Sequence, residues 1–190
     1  MEYPLYRFLR RIIKFLMILV FRYEVVNEEY LPDGPYILAG NHKSFFDCTM
    51  VISTTKDTVH FLAKKELLDG KLSWFFGRMG IIPVDRKRRN HEAMASAKEV
   101  LGKGGVIGIF PEGTFNNTEY IVRPFKMGAV KLASDMKVPI VPFAIVGKYK
   151  IFRKTKVVLG KPYMVKSKDL KGENITLMNK VIKLLKNGNN

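Results

Sequence analysis

Two short polar stretches hold residue types that can move protons and bind anions. The first is Asn41-His42-Lys43-Ser44-Phe45-Phe46-Asp47. On one continuous helix, positions five apart lie about 140° from each other, so His42 and Asp47 would not meet. They meet if His42 lies in a loop and Ser44 is the N-cap of the helix that follows. Asp47 is then the third helical residue and can turn back toward the loop. A carboxylate on one imidazole nitrogen fixes the tautomer and leaves the other nitrogen free as a base. Each residue also has a plainer reading. Ser44-x-x-Asp47 is the pattern of an ordinary capping motif, and a solitary loop histidine is commonly a surface residue. A base also needs a protic substrate group, which no residue pattern supplies.

The second stretch is Phe110-Pro111-Glu112-Gly113-Thr114. Its glycine lets backbone amides approach an anion, while Glu112 and Thr114 can contact hydroxyls. Many turns contain the same three residues. Lys64, Arg86, Arg123 and Lys126 are the cations that could hold a phosphate, although any one alone is the kind of charge that decorates a surface. Ser44 and Cys48 are the candidate nucleophiles of a hydrolase. Ser44 is better explained as a cap, and Cys48 would point into a helix beside Asp47.

The elements that must carry these stretches follow from apolar runs and their punctuation. Tyr23–Val26, Tyr36–Ala39, Val59–Ala63, Gly80–Val84, Val106–Phe110, Pro139–Val146 and Thr155–Leu159 read as strands, with a turn over Leu31–Pro35. Helices are expected after Ser44, from about Lys65 to Met79, from a cap at Asn90 to Leu101, over Lys126–Met136 and over Thr176–Lys186. Apolar strands alternating with amphipathic helices predict a single α/β domain, a mixed sheet flanked by helices on both faces. Ligands in such sheets sit beyond the carboxyl ends of strands, which is where both polar stretches fall.

The N-terminus predicts a separate element over residues 1–22, ahead of a domain over 23–190. At about 100° per residue, Arg7, Arg10, Arg11 and Lys14 share one arc, while Leu5, Phe8, Leu9, Ile12, Phe15, Leu16, Leu19 and Val20 cover much of the rest. The uninterrupted apolar run from Phe15 to Phe21 is far short of the ~20 residues that span a bilayer. Arg22-Tyr23-Glu24 is no secretory cleavage site. An amphipathic helix lying in a membrane interface is the expectation; the alternative is a helix packed on its own domain with the basic side in water.

Composition closes off several classes. With 47% hydrophobic residues the 190-residue chain is not intrinsically disordered. One cysteine precludes an internal disulfide, and a zinc site of four His/Cys ligands would need it and all three histidines together, so none is expected. The net charge of +16 suits a polyanionic partner. Residues 148–190 hold twelve Lys/Arg against Asp169 and Glu173, without the aromatic or arginine-glycine pattern of a nucleic-acid binder.

Taken in order, these pieces resemble the 1-acylglycerol-3-phosphate acyltransferase family of glycerolipid synthesis. Asn41-His42-x-Ser44-x-x-Asp47 is similar to its His-x4-Asp motif. Ala63-Lys64-Lys65-Glu66-Leu67 and Gly80-Ile81-Ile82-Pro83-Val84-Asp85-Arg86 resemble its second block. Phe110-Pro111-Glu112-Gly113-Thr114, Pro124-Phe125-Lys126-x-Gly128-Ala129 and Val138-Pro139-Ile140-Val141-Pro142 resemble the later ones.

The resemblance implies the glycerolipid acyltransferase fold and transfer of a fatty acyl group from a thioester, on acyl carrier protein or coenzyme A, to lysophosphatidic acid. His42 is implied as the general base and Asp47 as its orienting partner, with no acyl-enzyme and no cofactor. Glu112, Gly113 and Thr114 would position the glycerol, while Lys64 and Arg86 would meet the phosphate. It also implies an anionic membrane surface as partner, on the cytoplasmic face of the cell membrane, with the protein peripheral or monotopic. Many members read Glu-Gly-Thr-Arg, the arginine binding phosphate; here Phe115 follows Thr114. Arg123, Arg86 or Lys126 then takes that contact, or the acceptor differs, glycerol-3-phosphate or another lysophospholipid being the alternatives. Outside enzymology, a basic membrane- or RNA-binding protein is the competing reading.

Overall fold

The computed structural model describes residues 3–67, 69–70, 73–84 and 91–188. Its centre is β2 (Tyr36–Gly40), buried along its whole length because neighbours cover both faces. Alternation at a period of two sends Tyr36 and Leu38 into one core and Ile37 and Ala39 into the other. β5 (Val106–Ile109) and β6 (Ile140–Val146) flank β2 in parallel. Beyond β5 lie β3 (Val59–Lys64) and β4 (Ile82–Val84), also parallel. Beyond β6 lies β7 (Lys156–Leu159), antiparallel to it, and then β1 (Glu24–Val26), parallel to β7. The sheet is thus mixed and seven-stranded, in the order β1-β7-β6-β2-β5-β3-β4.

One face is covered by α1 (Pro4–Phe21) and α2 (Phe46–Ile52), through Tyr6, Met17, Phe21, Met50 and Val51. α3 (Ser73–Arg78) contributes Phe75 to the same core. The other face carries α4 (His91–Gly102), α5 (Gly128–Met136) and α6 (Leu170–Gly188), through residues such as Ala97, Leu132 and Val181. Each large apolar side chain buried this way contributes roughly 1.5–3 kcal/mol of transfer free energy.

Two expected elements differ. The helix expected from Lys65 to Met79 is a 3-10 turn over Lys65–Leu67 and a separate α3. Asp69-Gly70 interrupts it, and the Ser73 N–H is bonded to the Gly70 carbonyl at 2.9 Å. α6 begins at Leu170 rather than Thr176, where the Asp169 carboxylate accepts the Lys171 and Gly172 amides. Asn90, the expected cap of α4, and Arg86 lie outside the described residues.

α1 presents three sides. Tyr6, Met17 and Phe21 are buried against the domain, where the Tyr6 hydroxyl accepts the Val59 N–H at 2.9 Å. Arg10 reaches the Thr55 carbonyl at 3.0 Å. A different side leaves Phe8, Ile12, Phe15, Leu16 and Leu19 exposed. Among the described residues, no helix is long and apolar enough to cross a membrane.

β2 and β5 are neighbours and run in parallel, so the loops leaving their carboxyl ends emerge side by side. The first loop begins at Gly40, where an added Cβ would run into the carbonyl and ring of Phe143 on β6. Gly40→Ala is expected to cost about 1–3 kcal/mol through overpacking, read as a lower urea midpoint with an unchanged slope.

Candidate active site

The chain leaves β2 through Asn41, whose side chain continues the ladder to β6. Its carboxamide accepts the Ile145 N–H at 2.7 Å and donates to the Ile145 carbonyl at 3.3 Å. His42 follows in the loop. α2 is entered by reciprocal bonds: the Phe46 N–H donates to Ser44 Oγ at 3.3 Å, and the Ser44 N–H to Asp47 Oδ2 at 2.8 Å. Phe45 already has helical angles. This geometry turns Asp47 back, and its Oδ2 sits 2.9 Å from His42 Nδ1. Capping and pairing with His42 are therefore not alternatives, because one oxygen does both.

Asp47 is wholly buried and densely bonded. Oδ2 also accepts the Lys43 N–H at 2.6 Å, and Oδ1 accepts the Tyr149 hydroxyl at 2.5 Å. Amide N–H groups can only donate, so Oδ2 must be an acceptor and His42 Nδ1 must supply the proton between them. In the neutral ring Nε2 then carries the lone pair. Burial, with the neighbouring Asp47 carboxylate second, pushes the Tyr149 hydroxyl far above its ordinary range, which keeps it a donor. Burial lowers the pKa of Lys43, whose ammonium donates to the Gly147 carbonyl and lies 5.2 Å from the centre of the Tyr149 ring.

The loop after β5 holds His42 from the other side. Phe110 stacks on its ring at 4.0 Å, and Phe115 meets it edge-on at 4.5 Å. The His42 N–H donates to Glu112 Oε1 at 2.6 Å, and its carbonyl accepts the Asn116 N–H at 2.7 Å. Glu112 Oε2 accepts the Arg123 N–H at 2.7 Å. Both Glu112 oxygens are thus engaged by backbone amides, and burial raises its pKa against their opposing influence. Only 15% of the His42 side chain is exposed.

That exposed part opens on a cavity of about 640 Å³. Its floor is Leu62, Ile109, Met94 and Val84, and three cations, Lys64, Lys126 and Lys131, line it together with His91 and Gly113. Gly113 has φ 71°, and a Cβ there would lie 2.7 Å from Lys126 Nζ, so the glycine gives the lysine its path across the loop. Lys64 pairs with exposed Glu66 at 3.1 Å, a contact worth little. On its other side His42 borders a polar cleft of about 270 Å³ with Asn41, Lys43, Glu112 and Asn116. An imidazole flanked by apolar lining and clustered cations suits a ligand with a long apolar part and an anionic head.

Of the residues singled out from sequence, His42 and Asp47 are brought into contact, and His42, Lys64, Gly113 and Lys126 share the cavity. Thr114 is exposed and does not line it, and Arg123 contributes its backbone to Glu112. Ser44 Oγ accepts the Phe46 N–H, although the cap position of α2 falls at Phe45 rather than at Ser44. Burial pushes the Cys48 thiol up to about 12, so it is no ready nucleophile. Tyr149, His91 and Lys131 were not legible in the sequence. Tyr149 is separated from Asp47 by 102 positions, and only the sheet joins them.

The chain matches the acyltransferase family profile over residues 22–146. It is 31% identical over 166 residues to a Bacillus subtilis 1-acyl-sn-glycerol-3-phosphate acyltransferase, covering 83% of this chain and 82% of that protein. The chain belongs to the acyltransferase family. A Saccharomyces cerevisiae 1-acyl-sn-glycerol-3-phosphate acyltransferase is 36% identical over 132 residues, which are 64% of this chain but 42% of the yeast protein. The fold is shared with the crystal structure of a 1-acyl-sn-glycerophosphate acyltransferase from Thermotoga maritima, with a TM-score of 0.76 at 21% identity over 94% of this chain and 78% of that one.

In this acyltransferase, Glu112 bridges two loops with two acceptor oxygens, whereas glutamine offers one. Glu112→Gln turns an amide N–H₂ toward a backbone N–H and is expected to cost about 1–3 kcal/mol, measured by urea denaturation.

Proposed function

We propose that the protein transfers a fatty acyl group from a thioester, on acyl carrier protein or coenzyme A, to the free hydroxyl of 1-acylglycerol-3-phosphate, giving phosphatidic acid. The observation that carries this reading is the 2.9 Å bond from His42 Nδ1 to the buried Asp47, with the exposed part of the ring at the edge of a cation-lined cavity. Nε2 takes the proton of the acceptor hydroxyl as its oxygen attacks the thioester carbonyl. The tetrahedral adduct collapses, the C–S bond breaks, and the leaving thiolate receives the proton from the imidazolium. Asp47 stabilises that imidazolium without itself taking a proton. Attack is direct, and no acyl-enzyme forms.

Lys64, Lys126 and Lys131 meet the acceptor phosphate, and Glu112 acts by fixing the loops that carry His42 and Arg123. Gly113 opens the floor beside the glycerol, with Thr114 at its exposed rim. Arg86 is assigned to the phosphate by resemblance alone. The substrates are amphiphiles, so the exposed apolar side of α1 lies in the interface, on the cytoplasmic face, and holds the protein as a peripheral or monotopic enzyme. A second acceptor, glycerol-3-phosphate or another lysophospholipid, is favoured by one observation: Phe115 packs on His42 and offers no cation.

His42→Ala is expected to lower acyl transfer by at least about a hundredfold, with an unchanged urea midpoint. Asp47→Asn tests charge more narrowly, because the Tyr149 hydroxyl can turn from donor to acceptor toward the new amide while the carboxamide oxygen keeps the other bonds. It too is expected to lose at least about a hundredfold. Both are measured with lysophosphatidic acid and glycerol-3-phosphate offered in parallel to each thioester donor. No acylated protein should survive denaturing quench.

A further inference from the structure

The β6–β7 connection runs from Gly147 to Thr155 and carries Lys148, Lys150, Ile151, Phe152, Arg153 and Lys154. Ile151 and Phe152 are 68% and 69% exposed, among the most exposed large apolar residues of the chain. They are not at the end of a slack loop. The Lys150 N–H is bonded to the Lys148 carbonyl at 2.8 Å, and the Arg153 N–H to the Lys150 carbonyl at 3.0 Å. The Phe152 and Thr155 amides donate to the carbonyls of Val20 and Phe21, at 2.7 and 3.0 Å, tying the loop to the last turn of α1. Phe152 itself has φ 61°, a left-handed conformation that a bulky residue holds only when its surroundings over-determine it. The fold therefore holds two large apolar side chains out into water, at a backbone strain, on a loop bonded to the end of α1, a helix that also leaves Leu16 and Leu19 exposed.

We infer that this loop is a second membrane-contacting element, which places Ile151 and Phe152 among the acyl chains of an anionic lipid surface while Lys148, Lys150 and Arg153 meet its headgroups. The inference rests on the proposed acylation of a lipid acceptor and goes beyond it. The occupant follows from chemistry. Two apolar side chains projecting from a tip, rather than lining a groove, suit a fluid phase that closes around them. Cations on both sides suit phosphate headgroups. The loop is bonded to the last turn of α1, whose exposed apolar residues are the other candidate for the same lipid surface. At the root of the same loop Tyr149 donates to Asp47, which sets the His42 pair close to where the lipid arrives.

The test places a single tryptophan at the tip, as Phe152→Trp in a Trp74→Phe background, and adds vesicles of phosphatidylcholine with phosphatidylglycerol. Emission is expected to shift to the blue and to be quenched by lipids brominated in the acyl chains. A second variant, Ile151→Ser/Phe152→Ser, is expected to bind those vesicles at least about tenfold more weakly and to lose activity on bilayer-embedded lysophosphatidic acid in proportion. Its activity on a short-chain monomeric acceptor should equal the parent's. Unquenched emission from vesicle-bound protein, or parent-like vesicle binding by the double variant, overturns the inference. So does a double variant that loses affinity for acyl carrier protein while keeping its affinity for vesicles. Quenching is read without an acyl donor, so a parent protein inactive on every acceptor would overturn the functional reading alone.

Discussion

One carboxylate organises this site. Asp47 is removed from water and makes four contacts to hydrogen donors: the amides of Lys43 and Ser44, the imidazole of His42 and the hydroxyl of Tyr149. A buried carboxylate without such partners would be costly, so the arrangement is close to all-or-none. It starts α2, closes the loop after β2, and imposes the proton on His42 Nδ1. It also ties this loop to the strand pair β6–β7 through Tyr149. The geometry that folds the segment is therefore the geometry that aims His42 Nδ1 at the carboxylate.

His42 is held by contacts from two loops. Phe110 covers one ring face, Phe115 approaches edge-on, and Glu112 and Asn116 hold its backbone N–H and carbonyl. In the proposed reaction, a base fixed in this way would contribute through position, since little motion would be lost on meeting the hydroxyl. Lys64, Lys126 and Lys131 line the cavity but make none of the bonds that hold His42 and Asp47.

What was legible from sequence divides along the range of the interactions. β2 and β6 are apolar runs buried on both faces, and they announce themselves. The His42–Asp47 contact spans five positions and follows from the start of a helix, so local rules suffice for it. Glu112 reads as a substrate contact, yet both its oxygens go to amides of residues 42 and 123, partners that only the assembled sheet supplies. Tyr149 and Lys131 sit in stretches with no distinguishing pattern. The helix expected over Lys65–Met79 failed for a local reason, because Asp69-Gly70 outweighed an otherwise favourable periodicity. For α1, periodicity separated charged from apolar residues but could not divide the apolar ones between the core and the exposed side.

The tautomer of one ring carries the whole account, and nitrogen NMR of the His42 side chain reads it directly at neutral pH in the intact protein. The expected spectrum has the proton on Nδ1, with an unprotonated Nε2 whose resonance moves when the acceptor analogue is added. A proton on Nε2 with a bare Nδ1 facing Asp47 would contradict the assignment of His42 as the base.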